Sequence, residues 1–156
     1  SRAGPTTRRL GDEPALIERL RARLGDVEDR YIHVVRNPYD PISAMVRRGR
    51  RTLDDAIDDY ARQSRRMVML RHLLAGDRLL TVHYERFVAA PSDQLRRVCD
   101  FLGLDRDPGY LSACAEIVDA TRRPERQAVH WTPDAVAAVD RLIDQFDFLD
   151  GYAYTR

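Results

Sequence analysis

The stretch Tyr31 to Met45 reads YIHVVRNPYDPISAM, an apolar run that breaks into Arg36 and then into Asp40-Pro41 ahead of a second apolar pattern. Asp followed by Pro is the signature of a helix cap and first turn. Ser43 is therefore expected in that first turn, with its hydroxyl and the neighbouring backbone N–H groups available to an anion. An arginine at this point can grip a phosphate through two parallel hydrogen bonds. Each charge-assisted bond is worth about 1.5 to 3 kcal/mol, and the helix dipole adds about 0.3 to 1 kcal/mol. The same residues have a purely structural alternative, in which Arg36 pairs with Asp40 at a well-capped helix start. This window alone leaves both open. Metal chemistry has no comparable foothold. Cys99 and Cys114 lack a CxxC partner and read as reduced, buried side chains, and His33, His72, His83 and His130 are scattered without ligand spacing, so no metal site is expected.

The elements that position Arg36 follow from periodicity. Asp12 and Pro14 open a helix carrying Leu16, Ile17, Leu20 and Leu24, closed by Gly25. Tyr31 to Val35 is apolar on both faces apart from His33, the pattern of a strand buried between two helical layers. A short helix is expected from Pro41 to Arg48, ended by Gly49, and a longer one capped by Thr52 runs through Leu53, Ile57, Tyr60, Met67, Leu70 and Leu74. Leu79 to Tyr84 (LLTVHY) is a second β-rich run, and Ser92 after Pro91 opens a helix that ends at Gly103. Asp105 to Arg126 shows no clear pattern. Thr132 and Pro133 then start a final helix with Val136, Val139, Ile143 and Phe146 on one face. Helices alternating with strands predict an α/β fold, a parallel sheet with flanking helices. Two strands do not complete such a sheet, so either further strands precede Ser1 or the two apolar runs undercount the strands.

Length and composition suit one soluble domain: 156 residues, 44% hydrophobic, with a formal net charge of +1. That balance gives no overall pull toward nucleic acid, and no run is long and apolar enough for a membrane span or an export signal, so a cytoplasmic setting is expected. All 26 basic residues are arginine, which fits a high-GC bacterial genome and excludes any step by a lysine ammonium from this stretch of chain. RRGRR at Arg47 to Arg51 falls at a helix C-terminus, where cations are favourable, and is expected to be a solvated face rather than a nucleic-acid site.

Taken in order, YIHVVRNPYDPISAM, then LLTVHYERFVAAPSDQLRRVCDFLGL, then VHW and a final helix resemble the sulfotransferase family, whose members use 3′-phosphoadenosine 5′-phosphosulfate (PAPS) as donor and release 3′,5′-adenosine bisphosphate (PAP). The likeness covers about Pro14 to Tyr154 and corresponds to the C-terminal part of one P-loop-like sulfotransferase domain. Residues 13–156 are assigned to it, and residues 1–12 to a linker or disordered remnant. The resemblance implies that Arg36 holds the 3′-phosphate, helped by a first-turn hydroxyl. Family members commonly place that serine eight positions after the arginine. Here Ala44 stands there and Ser43 one before it, a rotation of about 100° on a helix. Tyr84 matches the family's tyrosine near the adenine, and Glu85 is expected to orient neighbouring groups rather than transfer protons. A late basic loop corresponds to TRRPERQAVHW, with Arg122, Arg123 and Arg126 as further phosphate ligands and Trp131 as a packing residue.

The resemblance also implies a Gly/Ser/Thr-rich loop for the 5′-phosphosulfate and a His or acidic general base, neither of which is recognisable in this sequence. His33 and His83 lie inside strands, and the catalytic residues stay unassigned. The expected activity is sulfuryl transfer from PAPS to an acceptor hydroxyl or amine, with this chain supplying the 3′-phosphate and adenine side. The acceptor is not identifiable, and homo-oligomerisation stays open. The alternative is a non-catalytic nucleotide-binding or protein-interaction module.

Overall fold

The computed structural model describes residues 9–10, 12–13, 15–49, 51–74, 76–118 and 124–154. Its elements in chain order are α1 (Ala15–Leu24), β1 (Tyr31–Val35), α2 (Tyr39–Arg48), α3 (Leu53–Leu73), β2 (Leu79–His83), α4 (Tyr84–Ala89), α5 (Pro91–Leu102), α6 (Pro108–Glu116) and α7 (Pro133–Gln145), with 3-10 turns at Glu125–Ala128 and Asp147–Leu149. Of the expected N-terminal linker, Arg9, Leu10 and Asp12 are helical, and Leu10 packs against the core. Residues 1–8 and 11 of that assignment lie outside the described residues.

Described strands β1 and β2 pair in parallel, Tyr31 opposite Leu79 through Val35 opposite His83, as the helix-rich α/β expectation requires. Their crossover is made by α2 and α3. Thr52 starts α3 with a reciprocal capping box: its hydroxyl accepts from the Asp55 amide at 3.1 Å while the Asp55 carboxylate accepts from the Thr52 amide at 3.3 Å. Ala56, Ile57, Ala61, Ser64, Met67 and Leu70 then form the buried stripe of α3. Thr132 caps α7 one-sidedly, its hydroxyl accepting from the Ala135 amide at 3.3 Å.

Because side chains alternate along a strand, Tyr31, His33 and Val35 share one face of the pair with Leu79, Thr81 and His83. This face meets the main core, built from Tyr39 and Ile42 of α2, the α3 stripe, Trp131, Val139 of α7 and Phe148. The opposite face departs from the expectation of a strand buried on both sides. Helices α4 and α5 pack against β2, where Leu80 and Val82 are buried, whereas Ile32 is 42% and Val34 62% exposed on β1.

Helix α2 starts at Tyr39, two residues before the expected Pro41. Pro38 already has helical dihedrals, φ −58° and ψ −30°, and the Asn37 side-chain oxygen accepts from the Tyr39 amide at 3.2 Å. Asn37-Pro38 therefore makes the turn expected of Asp40-Pro41. Two consequences follow for the site. Asp40 lies inside the first turn with its carboxylate directed sideways, and Ser43 moves into the second turn. Helices α4 and α6 are additions to the expected elements. The second is opened by Asp107, whose carboxylate accepts from the Tyr110 amide at 2.6 Å.

Candidate functional site

In a parallel pair the residues after matched strand ends leave side by side, at the edge where ligands collect in open α/β sheets. Val35 and His83 are matched, so Arg36 and Tyr84 emerge together, with the Arg36 guanidinium carbon 4.9 Å from the centroid of the Tyr84 ring. That distance is a cation–π contact. One guanidinium nitrogen of Arg36, Nη2, lies 3.0 Å from Asp40 Oδ2, the i,i+4 ion pair of the structural alternative. The pairing leaves the fork partly unused, because the buried Arg36 Nε has no hydrogen-bond partner.

Asp40 serves a second arginine. Arg126 Nη1 donates to the same Oδ2 at 3.1 Å, and the Arg126 backbone amide donates to Oδ1 at 3.0 Å. The 3-10 turn that carries Arg126 packs on α2. Asp40 is 3% exposed, so its charge is taken out of water and offset by these neighbours.

Behind this cluster the two strand-end loops are tied together by Glu85. Its Oε1 accepts from the Asn37 amide at 2.9 Å and its Oε2 from the Tyr152 hydroxyl at 2.6 Å. Glu85 thus orients backbone, as the sequence suggests. The Tyr152 hydroxyl also lies 3.3 Å from His83 Nδ1, and the Asn37 side-chain amide donates to the Ala153 carbonyl at 2.9 Å. Burial, with the Glu85 carboxylate in support, raises the Tyr152 phenol well above its ordinary range, so it acts as a donor. Burial lowers the His83 imidazole, and Arg86 acts in the same direction.

Of the residues singled out by sequence, Arg36, Tyr84 and Arg126 converge. Ser43 does not join them. It is fully buried in the second turn of α2, and its hydroxyl accepts from Trp131 Nε1 at 3.2 Å. Trp131 is itself a core residue, edge-on to Tyr39 at 4.8 Å. Arg122 and Arg123 lie outside the described residues. In the basic run at the end of α2, Arg47 pairs with Glu125 and Arg51 with Asp59, which partly neutralises it. Sequence reasoning misses the double role of Asp40 and the tie from Glu85 to Tyr152, since both connect positions far apart in the chain. Among the described residues no group of three or more His, Cys, Asp or Glu could hold a metal ion, and no helix is long and apolar enough to cross a membrane.

A family model described as "Sulfotransferase family" matches residues 28–108, a stretch that contains both strands, Arg36, Asp40, Tyr84 and Glu85 but not Arg126. Among solved structures, a sulfotransferase domain from the curacin biosynthetic pathway superposes with a TM-score of 0.62 at 22% identity, over 88% of this chain and 59% of that one. A sulfotransferase domain from the Synechococcus PCC 7002 olefin synthase gives 0.50 at 23% identity, over 85% of this chain and 55% of that one. At these identities the likeness is one of fold, and this chain spans less than two thirds of either domain. A comparison with curated proteins found no match.

Proposed function

We propose, from the premise that this chain belongs to the sulfotransferase family, that it forms the nucleotide side of a site transferring a sulfuryl group from PAPS to an acceptor hydroxyl or amine. The observation that carries this reading is the convergence of Arg36, Tyr84 and Arg126 at the carboxyl ends of paired parallel strands.

The residues present suit a 3′-phosphorylated nucleotide. The Arg36 side chain is 19% exposed and its Nε makes no hydrogen bond within the fold, so the guanidinium keeps donor capacity for a phosphate oxygen. Arg36 and Arg126 set two guanidinium groups against the Asp40 carboxylate, donors of the type that bind a phosphate. Tyr84, with Arg36 over its ring, presents an aromatic edge and a hydroxyl suited to a purine. Ser43 enters only as a support, holding Trp131 behind α2. Arg122 and Arg123 belong to the same basic segment of sequence as Arg126 and complete the proposed phosphate ligands.

When bound, PAPS supplies the sulfuryl group. The acceptor oxygen or nitrogen gains the S–O or S–N bond, the bond from sulfur to the bridging phosphate oxygen breaks, the acceptor proton leaves, and PAP is released. The task of the residues described here is to hold the donor's 3′-phosphate and adenine fixed, so that affinity for the non-reacting end of the molecule orients the reacting end.

The test is calorimetric titration of the intact protein with PAP and with 5′-AMP, followed by transfer of labelled sulfate from PAPS to an acceptor panel. At least about tenfold tighter binding of PAP is expected, the smaller end of what one charge-assisted phosphate contact supplies. No binding of PAP overturns nucleotide recognition. Binding without transfer to any acceptor overturns catalysis and leaves the non-catalytic alternative.

A further inference from the structure

Asp40 does more than neutralise one arginine. A simple bidentate ion pair would place both oxygens of the carboxylate against both nitrogens of a single guanidinium. Here one oxygen, Oδ2, lies 3.0 Å from Arg36 Nη2 as an ion pair and accepts from Arg126 Nη1 at 3.1 Å, while Oδ1 accepts from the Arg126 amide at 3.0 Å. The two guanidinium nitrogens therefore share one carboxylate oxygen, each about 3 Å from it, although their residues lie on different elements. The backbone bond fixes the 3-10 turn of Arg126 against the first turn of α2, so the side-chain contact does not depend on a mobile tether. Asp40 is 3% exposed, and it meets these partners from inside the fold.

We propose that Asp40 is a positioning residue for the nucleotide's 3′-phosphate, a buried carboxylate that sets Arg36 and Arg126 as one two-armed clamp. This rests on the nucleotide-binding reading above. Asp40 does not touch the ligand; it acts through the two arginines, and only on the phosphate that distinguishes PAP from 5′-AMP. Its negative charge alone would weaken anion binding. The geometry it imposes outweighs that effect, because two donors already in place lose less conformational freedom when the phosphate arrives.

The experiment titrates PAP and 5′-AMP against the intact wild type and Asp40→Asn, which keeps the shape and removes the charge. The expected result is about a tenfold loss of affinity for PAP with 5′-AMP unchanged within about twofold. A merely structural Asp40 would shift both nucleotides alike. Equal shifts, an unchanged preference or tighter PAP binding in Asp40→Asn each overturn the positioning role alone. A wild type that binds PAP no better than 5′-AMP overturns the nucleotide reading and this role with it. If Asp40→Asn does not fold, a cycle of Arg36→Gln, Arg126→Gln and the double variant decides. A clamp that works as a unit makes the double loss at least about fivefold smaller than the product of the single losses, and additivity within about twofold overturns it.

Discussion

Replacing Arg36 with glutamine separates an arginine kept for the fold from one kept for a ligand. On the folding side Arg36 contributes an ion pair with Asp40 at 3.0 Å and a cation–π contact with Tyr84, its guanidinium carbon 4.9 Å from the ring centroid. Asp40 keeps both of its bonds from Arg126 in the variant, so the buried carboxylate is not orphaned. The expected loss of stability is then about 1 to 2 kcal/mol, below the roughly 3 to 5 kcal/mol that follows when a buried charge loses its compensation. On the binding side, losing the charged contacts to a phosphate removes about 1.5 to 3 kcal/mol, a weakening of roughly 10- to 150-fold for PAP. Stability is read from the urea midpoint at constant m, and affinity by calorimetry at a temperature where the variant is fully folded. A variant that unfolds more easily yet binds PAP within about twofold of wild type would show that the contact with Asp40 is the whole purpose of Arg36.

Other expectations concern the scaffold. Burial, aided by Arg71 and His83, pushes the His33 imidazole from 6.5 down to about 4. Between those values the unfolded chain takes up a proton that the folded one refuses. The stabilisation, up to about 3 kcal/mol, is therefore complete above pH 6.5 and lost as pH falls toward 4. His33→Leu should flatten that acid limb in urea titrations from pH 7 to 4, and parallel pH profiles for the two proteins would contradict the assignment. Tyr152→Phe removes the 2.6 Å bond to Glu85 and should lower stability by about 1 to 2 kcal/mol, whereas a change below about 0.3 kcal/mol would deny the tie between the strand-end loops. Gly103 ends α5 at φ +68° with nothing within 4 Å of an added Cβ, so Gly103→Ala should cost about 1 kcal/mol from backbone conformation alone, and a neutral thermal melt would contradict it.

Features determined within one or two turns are legible in the sequence. Thr52 with Asp55, Thr132 with Pro133, and Gly103 announce themselves because a cap and its target lie within four residues. The same logic misplaces the start of α2, since Asp40-Pro41 carries a stronger cap signature than Asn37-Pro38 and cap chemistry alone cannot rank two overlapping signals. It would also have found α6 through Asp107-Pro108, the very dipeptide credited at Asp40, had the small side chains of PGYLSACAE not blurred the helical period. Helix α4 hides because HYERFVA reads equally well as the continuation of a strand. At the site, Arg36 and Tyr84 are visible because each immediately follows an apolar run. The meeting of Asp40 with Arg126 spans 86 residues and that of Glu85 with Tyr152 spans 67, distances over which no periodicity or cap speaks. The exposed side of β1 is equally hidden, for an apolar strand residue looks the same whether or not a helix reaches it.

The late segment around Tyr152 and Ala153 gives the molecule an order in time as well as in space. The loop bearing Arg36 is anchored through Asn37 to the Ala153 carbonyl, and Tyr154 closes edge-on over Tyr39 at 5.1 Å. As the polypeptide leaves the ribosome, both strands and their crossover helices can assemble early, but the Asn37 anchor is completed only at Ala153, 116 residues further along the chain than Asn37. A nascent chain halted before Tyr152 would leave the Arg36 and Glu85 loops without their ties to Tyr152 and Ala153, so the latch of the strand ends closes in the final moments of synthesis.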